Sequence, residues 1–280
     1  MKYLIIGKNG QLGKEFVKTL NSYKKDFTAV GHKELEIGDL GKVLEIFERE
    51  KPDIVINCSA YNLVDKAEED YPAAFKTNTI GVRNLAYASK KFGSFLVHYS
   101  TDYVFDGKKE GLYTEEDKPN PLNQYGKSKY LGEIYLFEEN KNSLLFRVSW
   151  VFGEGKQNFI HKLLNWAENN QYLKIAYDEI SVPTYTGTIV NITLKALEKG
   201  LTGLYHLTNS GYASRYEWAK AILNYRKINK FIYPVSSEIF ELPAKRPKFS
   251  AMDNGKIKKE LNLEIPTWEE DLKIFLAKSS

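Results

Sequence analysis

Tyr125 and Lys129, near the middle of the 280-residue chain, have the types and spacing for giving a proton to, or taking one from, a substrate oxygen. Four positions apart, they fall on one face of a helix with their side chains adjacent. An ammonium beside a phenol stabilises the phenolate and lowers the phenol's pKa from its ordinary value of about 10. A phenol so tuned gives or takes a proton near neutrality. Thr101 closes a β-rich run upstream, where its hydroxyl can hold the oxygen that exchanges this proton. Gly126 and Gly132 lie within the same helical stretch, where each costs about 1 kcal/mol relative to Ala. Gly126, beside Tyr125, reads as clearing space for a ligand or a neighbouring backbone. A surface Tyr and Lys at this spacing are common by chance, so the pair draws its weight from what stands upstream.

Upstream, the first apolar run leads into Gly7-Lys8-Asn9-Gly10-Gln11-Leu12-Gly13 and then a helical pattern. Glycines after an N-terminal strand allow a tight turn, close backbone approach to a pyrophosphate and close helix–strand packing, and the helix N-terminus supplies amide donors. The GxxGxxG spacing is one residue longer than the dinucleotide fingerprint of most dehydrogenases. After the second run come His32 and Lys33, with no acidic residue before Glu34. An acidic residue at this tip would hold the ribose 2′-hydroxyl of NAD. His32 and Lys33 face a 2′-phosphate instead, which favours NADPH over NADH; the alternative is that both are solvated loop residues. Asp39, followed by Leu40, is placed to meet the adenine. After the third run, Ser59, Ala60 and Tyr61 let the backbone lie against the nicotinamide ribose, with simple packing as the alternative. Cys58 reads as a small buried apolar group, since no partner for a thiolate is evident.

These residues need a scaffold that gathers strand ends onto one rim. Runs at 3–6, 28–30, 53–58, 95–99 and 144–149 read as buried strands, and 12–20, 43–50, 82–92 and 125–139 as helices. Strands alternating with such helices indicate βαβ units and a parallel sheet, with ligands at the carboxyl ends of the strands. After residue 150 prolines and aromatics break the rhythm, and helical patterns at 159–169, 187–199 and 215–225 stand apart. The fold class is α/β: a doubly wound parallel, Rossmann-type sheet with a smaller, interleaved C-terminal substrate lobe. Residues 1–150 form the NADP-binding domain and 151–280 mainly the substrate lobe, with segments near 185–202 and 228–236 returning to the sheet.

A chain of this length buries roughly 75% of its unfolded surface and needs no disulfide or metal staple. The single cysteine excludes an intramolecular disulfide. Forty basic against 36 acidic residues leave +4, too weak and scattered to indicate nucleic acid or an anionic membrane as partner. The longest mostly apolar stretch, 144–152, contains Arg147 and falls short of the roughly 20 residues of a membrane span. A cytoplasmic protein is expected.

Gly7–Gly13, Ser100–Thr101 and the Tyr125–Lys129 pair together resemble the extended short-chain dehydrogenase/reductase family. Further phrases resemble its branch of nucleotide-sugar 4-ketoreductases: NCSAYNLVDKAE at 57–68, STDYVF at 100–105, YGKSKYLGE at 125–133, RVSWVFG at 147–153 and RPKFS at 246–250. The match runs nearly end to end. It implies NADPH-dependent reduction of the 4-keto group of dTDP-4-dehydro-L-rhamnose to dTDP-L-rhamnose. Tyr125 would be the proton donor, Lys129 would hold the nicotinamide ribose, and Thr101 would hydrogen-bond the carbonyl. Asp102, Tyr103 and Trp150 would contact the sugar; for Trp150 an aromatic core position is the alternative. Related dehydratases follow their threonine with Asp-Glu, which serves water elimination, whereas here Asp102-Tyr103 follows. Asn62 stands where the branch usually has threonine, and 180–186 is a loose version of a glycine-containing phrase. Some relatives dimerise around Mg²⁺ held by glutamates. Glu15 matches one such position, which raises a homodimer and a metal site, against the alternative of a solvated glutamate. Other readings are a reductase or epimerase of another nucleotide sugar, or a non-catalytic relative like the regulatory β subunit of methionine adenosyltransferase.

Overall fold

The structure, a computed structural model, describes residues 1–278. In chain order the first half comprises β1 (Lys2–Ile6), α1 (Gln11–Ser22), β2 (Asp26–Val30), α2 (Leu40–Glu50), β3 (Ile54–Asn57), α3 (Lys66–Glu69) and α4 (Tyr71–Phe75). A π-helical turn, Lys76–Gly81, leads into α5 (Val82–Phe92), followed by β4 (Phe95–Thr101), α6 (Gln124–Glu139) and β5 (Ser143–Val148). The second half contains β6 (Val151–Phe152), α7 (Phe159–Asn169), β7 (Tyr172–Ala176), β8 (Ile180–Ser181), β9 (Thr184–Tyr185), α8 (Thr186–Glu198) and β10 (Gly203–His206). It ends with β11 (Ala213–Ser214), α9 (Arg215–Tyr225), β12 (Phe231–Val235), α10 (Gly255–Leu261) and α11 (Trp268–Lys278).

Six strands form one parallel sheet in the order β10-β5-β4-β3-β1-β2. Strand periodicity divides their apolar side chains between two faces. Tyr3 and Ile5 join Phe16, Leu20, Ile189 and Ile192 on the face covered by α1 and α8. Leu4 and Ile6 join Val43, Phe47, Leu85 and Leu136 under α2, α5 and α6. A parallel sheet requires cover on both faces, and these helices supply it. The strand order reverses at β1, where β2 lies on one side and β3 on the other, so the crevice at the carboxyl ends opens there. This is the doubly wound α/β fold expected from the sequence.

The second half builds a separate core from Phe152, Leu163, Tyr185, Trp218 and Leu272. The 185–202 segment contains α8, which packs on α1, and the chain then enters the main sheet as β10. The 228–236 segment does not return there. As β12 it pairs in parallel with β7, Pro234 opposite Ile175, in a sheet of two strands. Ile232 packs against the small-lobe core, and the exposed Phe231 and Tyr233 rings stack edge to face with centroids 4.5 Å apart. That local aromatic pairing and the small-lobe core, rather than the distant main sheet, hold the strand.

α6 carries the Tyr–Lys pair, and its placement is tightly determined. Asn123 caps it by accepting the Gly126 N–H at 2.7 Å, and the Asn123 amide donates to the Lys245 carbonyl at 2.8 Å. A Cβ on Gly126 would stand 2.3 Å from the Tyr103 carbonyl oxygen, so a neighbouring backbone, not a ligand, requires glycine there. Further along, Glu133 holds Arg147 of β5 in a buried bidentate pair, with oxygens 2.6 and 3.0 Å from guanidinium nitrogens.

Two stability measurements test this packing. Glu133→Ala leaves the Arg147 charge buried without its partner and should cost about 3–5 kcal/mol in urea unfolding. Gly126→Ala, which would gain about 1 kcal/mol in an open helix, should instead lose about 1–3 kcal/mol; a gain would contradict the close approach to Tyr103.

Candidate active site

β4 ends at Thr101, and α6 lies across that end so that the Tyr125 phenol stands beside the Thr101 side chain. The Tyr103 ring meets the Tyr125 ring edge-on at 5.9 Å. Burial pushes the Tyr125 phenol up to about 12, and the neighbouring Thr101 side chain opposes this only in part. The sequence led to the opposite expectation, a phenol lowered by Lys129. Lys129 is instead engaged elsewhere: only 2% exposed, it donates to the Tyr99 carbonyl at 2.6 Å and lies 3.4 Å from His98 Nε2. Burial drives Lys129 itself down to about 8, against the pull of Glu133.

Asp102 is buried, and its carboxylate accepts hydrogen bonds from Ser250 at 2.6 Å, Ser181 at 2.8 Å and Thr101 at 3.2 Å. Burial raises its pKa, and the three hydroxyls lower it. Expected to contact a sugar, this group is largely committed to tying Thr101 to two serines of the C-terminal half.

The glycine turn fits a diphosphate. Gly7 has φ +90°, and a Cβ there would lie 2.8 Å from the Ser59 amide nitrogen, a conformation and a closeness suited to glycine. Gly10 caps α1 without a side-chain hydrogen bond, which leaves the first-turn amides around Gln11, Leu12 and Gly13 for an anion. Ser59 donates to Asn57 through both its amide and its hydroxyl, and the Tyr61 amide donates to Asn78. These bonds hold Ser59, Ala60 and Tyr61 along the rim beside the turn. Asn9 lies under Gly31 at the end of β2.

At the β2 tip, His32 is largely exposed and lies 3.7 Å from Glu36, while Lys33 is exposed. Asp39 caps α2 by accepting from the Lys42 amide at 3.2 Å, with Leu40 exposed beside it. Glu34, the first acidic residue after the second run, folds back to this tip. It accepts the Gly31 N–H at 2.6 Å and pairs with Lys8 at 2.5 Å, and Lys8 holds its carboxyl below the usual range.

A cavity of about 1100 Å³ joins the two lobes; Gln11, Thr101, Asp102, Tyr103, Tyr125 and Trp150 all line it. Trp150 has φ +39°, a left-handed backbone that costs a non-glycine residue about 1–2 kcal/mol. Its ring stacks on Trp218 at 5.6 Å, and the Arg215 guanidinium sits 3.5 Å from its centroid. Arg215 is 3.6 Å from Glu179, and Arg246 pairs with Asp65 at 2.7 Å; both arginines line the same cavity. Sequence reasoning assigned no role to either. Arg215 opens a helix, where a basic residue carries no signal, and Arg246 was visible only within a longer phrase.

Among the described residues no group of three or more His, Cys, Asp or Glu side chains is arranged to hold a metal. Glu15 stands near the Tyr185 phenol rather than in a ligand set, so the Mg²⁺ expectation finds no site. Burial raises the Cys58 thiol. No helix among the described residues is long and apolar enough to cross a membrane.

The whole chain, residues 1–280, matches the RmlD substrate binding domain family. It is 35% identical over 285 residues to a dTDP-4-dehydrorhamnose reductase of Burkholderia thailandensis, covering 96% of this chain and 95% of that one. It is 36% identical over 279 residues to the spore coat polysaccharide biosynthesis protein SpsK of Bacillus subtilis, covering 100% and 98% of the two chains. Among solved structures it is similar to the dTDP-4-dehydrorhamnose reductase of Bacillus anthracis in complex with NADP, with TM-score 0.96, 35% identity and 99% of each chain covered. With the same fold and these phrases in place from end to end, the chain belongs to the RmlD substrate-binding-domain family of extended short-chain dehydrogenases/reductases.

Proposed function

We propose that this protein reduces the 4-keto group of dTDP-4-dehydro-L-rhamnose to dTDP-L-rhamnose with NADPH. The observation that carries this reading is one cavity lined together by Tyr125, Thr101, Arg215, Arg246 and Gln11 of the glycine turn. That arrangement suits a ketone at the phenol, a diphosphate at the arginines and a dinucleotide along the turn. When bound there, a reduced nicotinamide would supply the hydride for C4.

Tyr125 gives its proton to the C4 oxygen. A phenol held near 12 keeps that proton throughout the neutral range, the state a reduction needs before the oxygen becomes basic. Thr101 turns its hydroxyl from Asp102 to the same oxygen, and Lys129 holds the nicotinamide ribose. Trp150, braced by Trp218 and Arg215, forms a flat wall for the sugar. Asp102, engaged by three hydroxyls, is poorly placed to serve as the acid of a water elimination.

Cofactor choice rests on the β2 tip. Lys8, His32 and Lys33 bring positive charge to this tip, with Lys76 joined to His32 through Glu36, and the NADP complex of the B. anthracis relative supports NADPH. The Glu34 carboxylate offers an acceptor to a 2′-hydroxyl, so NADH is the second substrate.

Consumption of NADPH absorbance with dTDP-4-dehydro-L-rhamnose tests the reaction. Tyr125→Phe should lower kcat by about 10²–10⁴-fold; an unaffected variant would remove Tyr125 from the acid role. Cofactor binding without turnover on any keto sugar would favour a non-catalytic protein. His32→Ala with Lys33→Ala should shift the NADPH-to-NADH affinity ratio about tenfold toward NADH, and an unchanged ratio would clear both residues of cofactor selection.

A further inference from the structure

A chain of buried polar groups runs from β3 to Lys129, and its proton positions can be counted. The Ser59 amide, which can only donate, lies 3.1 Å from Asn57 Oδ1, and the Ser59 hydroxyl donates to the same oxygen at 2.6 Å. The amide orientation of Asn57 is thereby set, and its Nδ2 is a donor. Nδ2 lies 3.0 Å from His98 Nδ1, so that nitrogen must accept. His98 is 1% exposed, and burial keeps its pKa well below the usual histidine range against the opposing pull of the Asn57 backbone, so the ring carries one proton. With Nδ1 accepting, that proton sits on Nε2. Nε2 lies 3.4 Å from Lys129 Nζ.

An ammonium has no lone pair to receive this N–H, so a charged Lys129 would face His98 donor to donor. A free amine can accept from His98 and still donate to the Tyr99 carbonyl at 2.6 Å. The other groups around Lys129 do not force the charged form. Glu133, four positions along α6, favours the ammonium but is committed to Arg147 of β5. Tyr125, four positions back, keeps its proton at neutral pH. From β4, the Tyr99 phenol is raised by burial and shares a hydrogen bond with Thr193 at 2.8 Å, and Cys58 beside it is an uncharged thiol.

We propose that His98 is a positioning residue for Lys129: held by Asn57 with its proton on Nε2, it turns an N–H toward the amine and favours the uncharged form. The functional consequence rests on the proposed reaction, in which Lys129 holds the nicotinamide ribose, together with the general effect of a nearby ammonium, which would steady the phenolate that Tyr125 becomes on giving up its proton. Activity should then fall on the alkaline side as Lys129 loses its charge, well below the pH of an ordinary lysine. The midpoint near 8 set by burial agrees with this.

Long-range ¹⁵N–¹H NMR of the cofactor-free protein, labelled at histidine, reads the ring directly. The expected result is a proton on Nε2 and a bare Nδ1 between about pH 6 and 8. A proton on Nδ1, or an imidazolium, overturns the proposal. Lysine labelled at ¹³Cε gives the Lys129 midpoint in the same protein, and a value at the ordinary lysine position of about 10.4 also overturns it. Asn57→Asp replaces the donor with an acceptor, so His98 should move its proton to Nδ1 and offer Nε2 as a lone pair. The Lys129 midpoint and the alkaline limb of kcat/KM should then rise by about one pH unit or more. Asn57→Asp in a His98→Gln background keeps the new charge without the ring and should raise the midpoint less; an equal rise in both backgrounds overturns the role of His98. The wild-type measurements decide the matter even if a variant fails to fold. Absence of keto-sugar turnover would refute the proposed reaction while leaving the NMR titrations valid.

Discussion

The burial of Lys129 is the constraint on which the arrangement depends. A long cationic side chain enters a protein interior only where its hydrogen-bonding groups are met, and here the Tyr99 carbonyl at the end of β4 meets one of them. Reaching that carbonyl requires α6 to lie close over the strand ends, with Gly126 against the Tyr103 backbone and Asn123 fixing the first turn. Once α6 is there, Tyr125 meets Thr101 and Tyr103 without further choice. The environment that accepts the lysine also makes Tyr125 a weaker acid, and a reductase uses that weakness because its phenol must begin with the proton on.

The second structural tie joins the halves of the molecule. Ser181 and Ser250 come from the C-terminal half, yet both donate to Asp102, the residue after Thr101. A carboxylate in the interior without such donors would be strongly unfavourable, so its burial depends on the second half being docked. Arg246 adds a further link by pairing with Asp65 across the same divide. Placement of the arginine-bearing wall is thus mechanically coupled to the hydroxyl beside the phenol.

Much of this was legible in the sequence because it is periodic. Apolar alternation in β1 and β4, the amphipathic α1 and α2, the glycine turn and the Tyr125–Lys129 spacing all express local geometry. What escaped reading has no local period. β6, β8, β9 and β11 have two residues each, too few to alternate. Arg215 looks like any helix-opening cation until Trp150 and Trp218 surround it. Glu34 follows His32 and Lys33 in the chain, and its return to the β2 tip depends on a turn that folds back on Gly31, which sequence distance does not show. The direction of the Tyr125 shift was misread for a related reason: spacing reports that two groups are neighbours, but not how much water each has lost.

β12 carries a final implication for handling the molecule. Among the described residues its outer edge has no partner strand, and the Phe231 and Tyr233 rings leave apolar surface beside it. Pro234 contributes no amide proton, which interrupts the row of donors that an incoming extended chain would need. The proline therefore serves as a guard against fibrillar stacking, at a place where an alanine would complete a sticky ribbon open to other molecules in concentrated solution.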